Sequence, residues 1–176
     1  RSLARSNPGR SAVAAPCNAC RRWRGMATVA RRVERQRENA RKLAEFLRDE
    51  PRVAWVNYAG FPDSPYYQLV QKYLDGQASS LFTFGIKGGH EAGKAFYDAL
   101  KLITRLVNIG DAKSLACHPA STTHRQMSPE QQRRAGILPE TIRLSIGIEH
   151  FEDIIEDIDQ ALARASLDFP QQEAAE

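Results

Sequence analysis

A chain of 176 residues, 42% hydrophobic and 26% charged, is long enough for one domain with a real core. No apolar run reaches the roughly 20 residues that a membrane-spanning helix needs. The formal charge of +4 comes from the N-terminus, where Glu34 is the only acid up to Arg37, so it marks no nucleic-acid-binding face on the domain itself.

Residues 1–15 mix Arg, Ser, Gly and Pro without periodicity and are expected to form a disordered basic tail. Such an acid-poor stretch fits a mitochondrial transit peptide, a basic arm for nucleic acid, or a fragmentary join in a chain that opens on Arg1 without a methionine. The third reading is preferred, for a reason given below. Cys17 and Cys20 form a C-x-x-C pair, weak by itself for zinc or redox chemistry; a structural zinc needs four ligands, and no second pair has suitable spacing. No metal site is expected. Cys117, alone in an apolar run, reads as a small core residue. Without a disulfide framework the expected compartment is reducing, the cytoplasm.

Apolar residues at Val29, Val33, Ala40, Leu43, Ala44 and Leu47 predict a helix from about Met26, with a charged, solvated opposite face, ending before Pro51. Val53 to Tyr58 reads as a strand, and Tyr66 to Leu74 as a short helix ending at Asp75-Gly76. Ser80 to Lys87 alternates, with Phe82, Phe84 and Ile86 on the buried side. Gly88-Gly89 turns the chain into a helix from His90 to Ile103, with His90 facing solvent. Ser128-Pro129-Glu130-Gln131 carries a capping box and an N-terminal proline, and its helix ends at Gly136. Thr141 to Ile148 is a strand. Phe151, Ile154, Ile155, Ile158 and Leu162 stripe a last helix, and residues 167–176 read as a frayed tail. Strands alternating with helices predict one small α/β domain, a sheet of about four strands with helices packed mainly on one face.

The least ordinary stretch runs from Val107 to Gln126. It is dense in small polar groups: a Gly110-Asp111 turn, His118-Pro119, hydroxyls at Ser121, Thr122 and Thr123, and His124. A polar loop on a strand end is a common place for binding groups. Arg143 shares one face of its strand with Ser145, and Ile142, Leu144 and Ile146 share the other. A guanidinium so mounted can grip a carboxylate through two parallel hydrogen bonds. The pattern alone reads more simply as a surface arginine paired with a neighbouring acid.

Ser114-Leu115 with Pro119, and Arg143-Leu144-Ser145 with Gly147 and Glu149, resemble the pyridoxal-phosphate enzymes of cysteine and methionine metabolism. Gly110 to Leu115, His118 to His124, Asn57-Tyr58-x-Gly60-x-Pro62 and Thr83 to Gly89 resemble the O-acetylhomoserine sulfhydrylase branch, in register from about Arg32 to Leu162. The resemblance extends weakly back through Pro16, Asn18, Ala19, Gly25 and Thr28, where Arg21, Arg22 and Trp23 replace leucines. It therefore implies an altered domain-linking segment over residues 16–31, which is why the transit-peptide and zinc readings are set aside. Over residues 32–166 it implies the C-terminal substrate domain of a fold-type I enzyme, with the cofactor domain absent.

The same resemblance implies γ-replacement: O-acetylhomoserine loses acetate and takes up sulfide to give homocysteine. Arg143 would bind the substrate α-carboxylate, Ser114 would support the cofactor–lysine side, and Thr123 and His124 would be loop contacts. Lys87, Lys94, Lys101 and Lys113 lie outside the family's Schiff-base motif, so no catalytic residue is expected here and pyridoxal phosphate is not expected to bind this chain stably by itself. The family is homo-oligomeric, often tetrameric, with a small amino-acid substrate and neither nucleic acid nor membrane as partner. Two alternatives stand: a cystathionine synthase or lyase relative, and a non-catalytic remnant.

Overall fold

The computed structural model describes residues 16–168. The tail expected over residues 1–15, and residues 169–176, lie outside them. Among the described residues six helices and five strands follow in chain order: α1 Pro16–Ala27, α2 Val29–Asp49, β1 Val53–Asn57, α3 Tyr67–Leu74, β2 Leu81–Ile86, α4 Gly89–Ala99, β3 Thr104–Arg105, β4 Leu115–Cys117, α5 Pro129–Arg134, β5 Thr141–Ser145 and α6 Phe151–Asp168.

The strands form one sheet in the order β1-β2-β5-β4-β3, antiparallel except for the β3–β4 pair. The fifth strand, beyond the four or so expected, is β3. Its two residues are both exposed, too short a run to carry an alternating pattern. On the apolar face Phe84 meets Phe96 of α4 edge to face at 5.7 Å. Ile142, Leu144 and Ile146 from β5 and its end, and Ile154, Ile158 and Leu162 from α6, are completely buried with them. Each such side chain contributes about 1.5–3 kcal/mol, so this layer is the main source of stability. The α2 stripe of Ala40, Leu43, Ala44 and Leu47 joins the same core.

Three boundaries differ from the periodicity. The helix expected to run to Ile103 stops at Ala99, and Leu100 turns extended. Asp157 of α6 explains the break: its carboxylate accepts the backbone N–H groups of Lys101, Leu102 and Ile103 at 2.9–3.0 Å. Leu100 and Ile103 are still buried, so the apolar spacing continues where the helix does not. β5 ends at Ser145, not Ile148, because the chain turns through Gly147. A Cβ on Gly147 would sit 2.3 Å from the Ala112 carbonyl, so only glycine passes there. The last helix runs on through Leu167 to Asp168, with Leu167 exposed, two residues into the stretch expected to fray.

α1 has no buried residue, and Trp23 is exposed. It joins α2 at Thr28, where Arg32 donates to the Gly25 carbonyl at 2.8 Å. α5 opens as expected: the Ser128 hydroxyl accepts the Gln131 N–H, the Gln131 side chain accepts the Ser128 N–H, and Gly136 follows at φ 74°.

Candidate functional site

Residues paired across neighbouring strands share a face of the sheet. Asn57 pairs with Thr83, Thr83 with Arg143, and Arg143 with Cys117. The face opposite Ile142 and Leu144 therefore carries a row, Asn57–Thr83–Arg143–Cys117. Cys117 is buried, as expected of a core residue, yet it lies on Arg143's face and not in the main core cluster. Its thiol lies 3.4 Å from the Thr122 hydroxyl.

The Arg143 side chain is half-buried on the strand. Its Nη2 donates to the Asn108 carbonyl at 3.4 Å. Its Nε is buried without a partner, and among the described residues no carboxylate pairs with it. A buried guanidinium N–H without an acceptor costs free energy that an arriving oxygen restores. The ion pair that the strand pattern alone would favour is not formed.

Ser114 lies just before β4 and is completely buried. Its hydroxyl accepts the Gly147 N–H at 2.9 Å and donates to the Glu149 carboxylate at 2.9 Å. The Ser114 N–H donates to the same carboxylate at 2.6 Å. This serine ties the start of β4 to the turn after β5. No hydrogen bond joins it to Arg143; the two share the connection that carries Asn108 at one end and Ser114 at the other.

Thr123 and His124 follow the other end of β4. The Thr123 hydroxyl lies 2.7 Å from Nδ1 of His124, and the His124 backbone is held by Pro119 and by Gln132. They form a surface loop without a hydrogen bond to Arg143 or Ser114.

Several buried polar residues were not anticipated. Nε2 of His118 lies 2.8 Å from the Pro139 carbonyl, which only accepts; Nε2 therefore carries the proton, and Nδ1 accepts from the Ser121 hydroxyl at 2.7 Å. Burial holds the His118 imidazole below its usual range, against the opposing Pro139 hydrogen bond. His90, expected to face solvent, keeps its side chain 41% exposed, with Nδ1 3.0 Å from the Glu91 carboxylate and its ring 5.2 Å from that of His118. Gln36 donates to the Asp111 carbonyl at 2.7 Å, and Asn39 to the carbonyls of Gly147 and Glu149 at 3.2 and 3.0 Å. Two amides falling on the apolar stripe of α2 are a signal that the sequence did contain.

Lys72, Lys87, Lys94, Lys101 and Lys113 are exposed, and Lys42 pairs with Glu38 at 2.7 Å. Among the described residues no His, Cys, Asp and Glu cluster could hold a metal ion, and no helix is long and apolar enough to cross a membrane.

In class, this is a layered α/β domain that presents the Arg143 guanidinium, without a carboxylate partner among the described residues, on the polar face of its sheet. The model of the Cys/Met metabolism PLP-dependent enzymes matches residues 4–163, and the chain belongs to that family. It is 52% identical over 139 residues to O-acetyl-L-homoserine sulfhydrylase 1 of Thermus thermophilus, covering 79% of this chain and 33% of the relative. A solved O-acetylhomoserine (thiol)-lyase from Campylobacter jejuni, carrying an N'-pyridoxyl-lysine-5'-monophosphate, superposes with TM-score 0.78 at 42% identity, over 86% of this chain and 36% of that one. A cystathionine gamma lyase of Micromonospora echinospora gives TM-score 0.72 at 38% identity, over 80% of this chain and 36% of its own. The chain spans about a third of the length of these relatives.

Proposed function

We propose that residues 32–166 are the substrate domain of an O-acetylhomoserine sulfhydrylase, in which Arg143 holds the amino-acid α-carboxylate, and that residues 16–31 link it to a cofactor domain. The observation that carries this reading is the state of Arg143: strand-mounted, half-open, its Nε buried without an acceptor and no acid beside it. In the complete family enzyme, pyridoxal phosphate supplies the electron sink for replacing acetate by sulfide. The residues described here bind and orient the substrate. Ser114 and Glu149 fix the connection beside Arg143, and Thr123 and His124 are loop contacts at the far end of β4. Assembly with further copies belongs to the same reading, as does a cytoplasmic location.

A cystathionine-type reaction is the second reading, supported by the similarity to the Micromonospora lyase. Both reactions use an amino-acid carboxylate, so both keep Arg143 in the same role.

The carboxylate reading is tested on this chain by following the Arg143 Nε–H resonance while acetate or acetamide is added. Acetate is expected to move it and acetamide is not. Equal indifference to both would refute the assignment.

A further inference from the structure

We propose that Gln36 of α2 is a positioning residue for Arg143: it fixes the connection between β3 and β4 whose Asn108 carbonyl seats the guanidinium. The inference rests on the carboxylate reading of Arg143 for its meaning, but not for its geometry.

Among the described residues, Asn108 supplies the one hydrogen bond that Arg143's side chain makes. The place of Asn108 therefore sets where the guanidinium sits. Its connection is held at three successive residues. Gly110 donates its N–H to the Ser145 hydroxyl at 3.3 Å, Asp111 accepts from Gln36 at 2.7 Å, and Ala112 accepts from the Ile148 N–H at 2.9 Å. Two of these anchors, Ser145 and Ile148, belong to the segment that carries Arg143 itself. Among the described residues, the hydrogen bond from Gln36 ties the middle of the connection to α2, so α2 sets its height above the strand.

The burial of Gln36 supports the same conclusion. It is 2% exposed, one turn before the apolar residues Ala40, Leu43 and Leu47. Burying an amide there costs free energy unless its donors are used, and an apolar residue would fill the space more cheaply. What Gln36 adds is one hydrogen bond aimed out of its own helix, at the middle of the connection. Asn39, the next buried polar residue of α2, acts on the following layer by donating to Gly147 and Glu149, and Glu149 in turn holds Ser114. A single helix thus registers both turns that flank Arg143.

The test uses Gln36→Leu and Gln36→Met, which keep bulk but lack the donor. Leu43→Ala, a core truncation in the same helix, is the control. The readouts are hydrogen exchange of the Gly110 and Ile148 amides and the position of the Arg143 Nε–H resonance in the unliganded chain. Both Gln36 variants are expected to speed Gly110 exchange about tenfold and to move the Arg143 resonance, while the control does neither. Wild-type values in both Gln36 variants, or the same changes in the control, would overturn the proposal. The two claims separate: a wild-type resonance indifferent to acetate refutes the carboxylate reading, whereas the unliganded resonance of the variants still decides the role of Gln36.

Discussion

Buried polar side chains cost free energy until they are paired, so the places where this chain keeps them show what it must hold still. His118 is one. Because burial lowers its folded pKa, the unfolded chain takes up the proton first as pH falls through about 6.5. The folded state should therefore lose stability on the acid side of that value, with the contribution fully present only above it. His90 disfavours the charged form, while Asp98 and Glu91 favour it. The expected result is that denaturant midpoints between neutral and mildly acid pH fall less in His118→Asn than in the parent chain; equal slopes would remove His118 as the cause. Arg143 was legible from strand alternation as a residue mounted away from the apolar face, and only the family resemblance implied that it is kept open for a carboxylate. That property depends on which acids come near in space, and strand alternation says nothing about them. Gln36 and Asn39 were legible in principle, as amides on an apolar stripe, and were passed over because neighbouring charges on the same helix are ordinary solvated ones, such as Glu38 and Lys42.

At the scale of elements, periodicity located the helices and strands well and their ends less well, for a consistent reason. Spacing reports burial, and burial continues past a helix when tertiary contacts take over. The stretch from Leu100 to Ile103 is the clear instance: both end residues are buried, but their backbone is capped by Asp157 from α6. Asp157→Ala should strand three N–H groups and cost about 3 kcal/mol, with Asp157→Asn recovering part of it. Urea unfolding of the three proteins checks this, and a loss below about 1 kcal/mol would mean that water replaces the carboxylate freely. Where a helix end has a local chemical mark the sequence did place it: the Ser128–Gln131 capping box and Gly136 bracket α5. Ser128→Ala should cost about 1 kcal/mol of stability, read in the same unfolding experiment, and no measurable change would show that the box is idle.

At the scale of the whole fold, the chain spans about a third of the length of its relatives, so its chemistry is read as that of one part. α1 has no buried residue, and Trp23, Met26 and Val29 expose apolar surface, while Arg21, Arg22 and Arg24 are exposed as well. Burying those cations unpaired would cost several kcal/mol each, which supports placing this segment outside the core. The fold class was legible because alternation of strands and helices is a property of the whole pattern. The order β1-β2-β5-β4-β3 was not, since a two-residue strand and a crossover leave no periodic trace. With five exposed lysines and one paired with Glu38, this chain alone is expected to form no stoichiometric borohydride-trapped adduct with pyridoxal phosphate. Mass spectrometry after reduction checks this; one lysine labelled to completion would place a cofactor seat among these residues.

The central claim is that Arg143 is held ready for a substrate carboxylate, and the most direct measurement of it compares charge with shape. In a complete enzyme carrying this segment, wild type and Arg143→Lys are assayed on O-acetyl-L-homoserine and on its carboxamide. Lysine keeps the charge but not the two parallel hydrogen bonds, and breaking such a charged, bidentate pair is worth about 2–5 kcal/mol. The account predicts that catalytic efficiency toward the carboxylate substrate drops by that order in the lysine variant, whereas the carboxamide, already a poor substrate, loses little more. Unchanged efficiency toward O-acetyl-L-homoserine, or equal losses on both substrates, would contradict it.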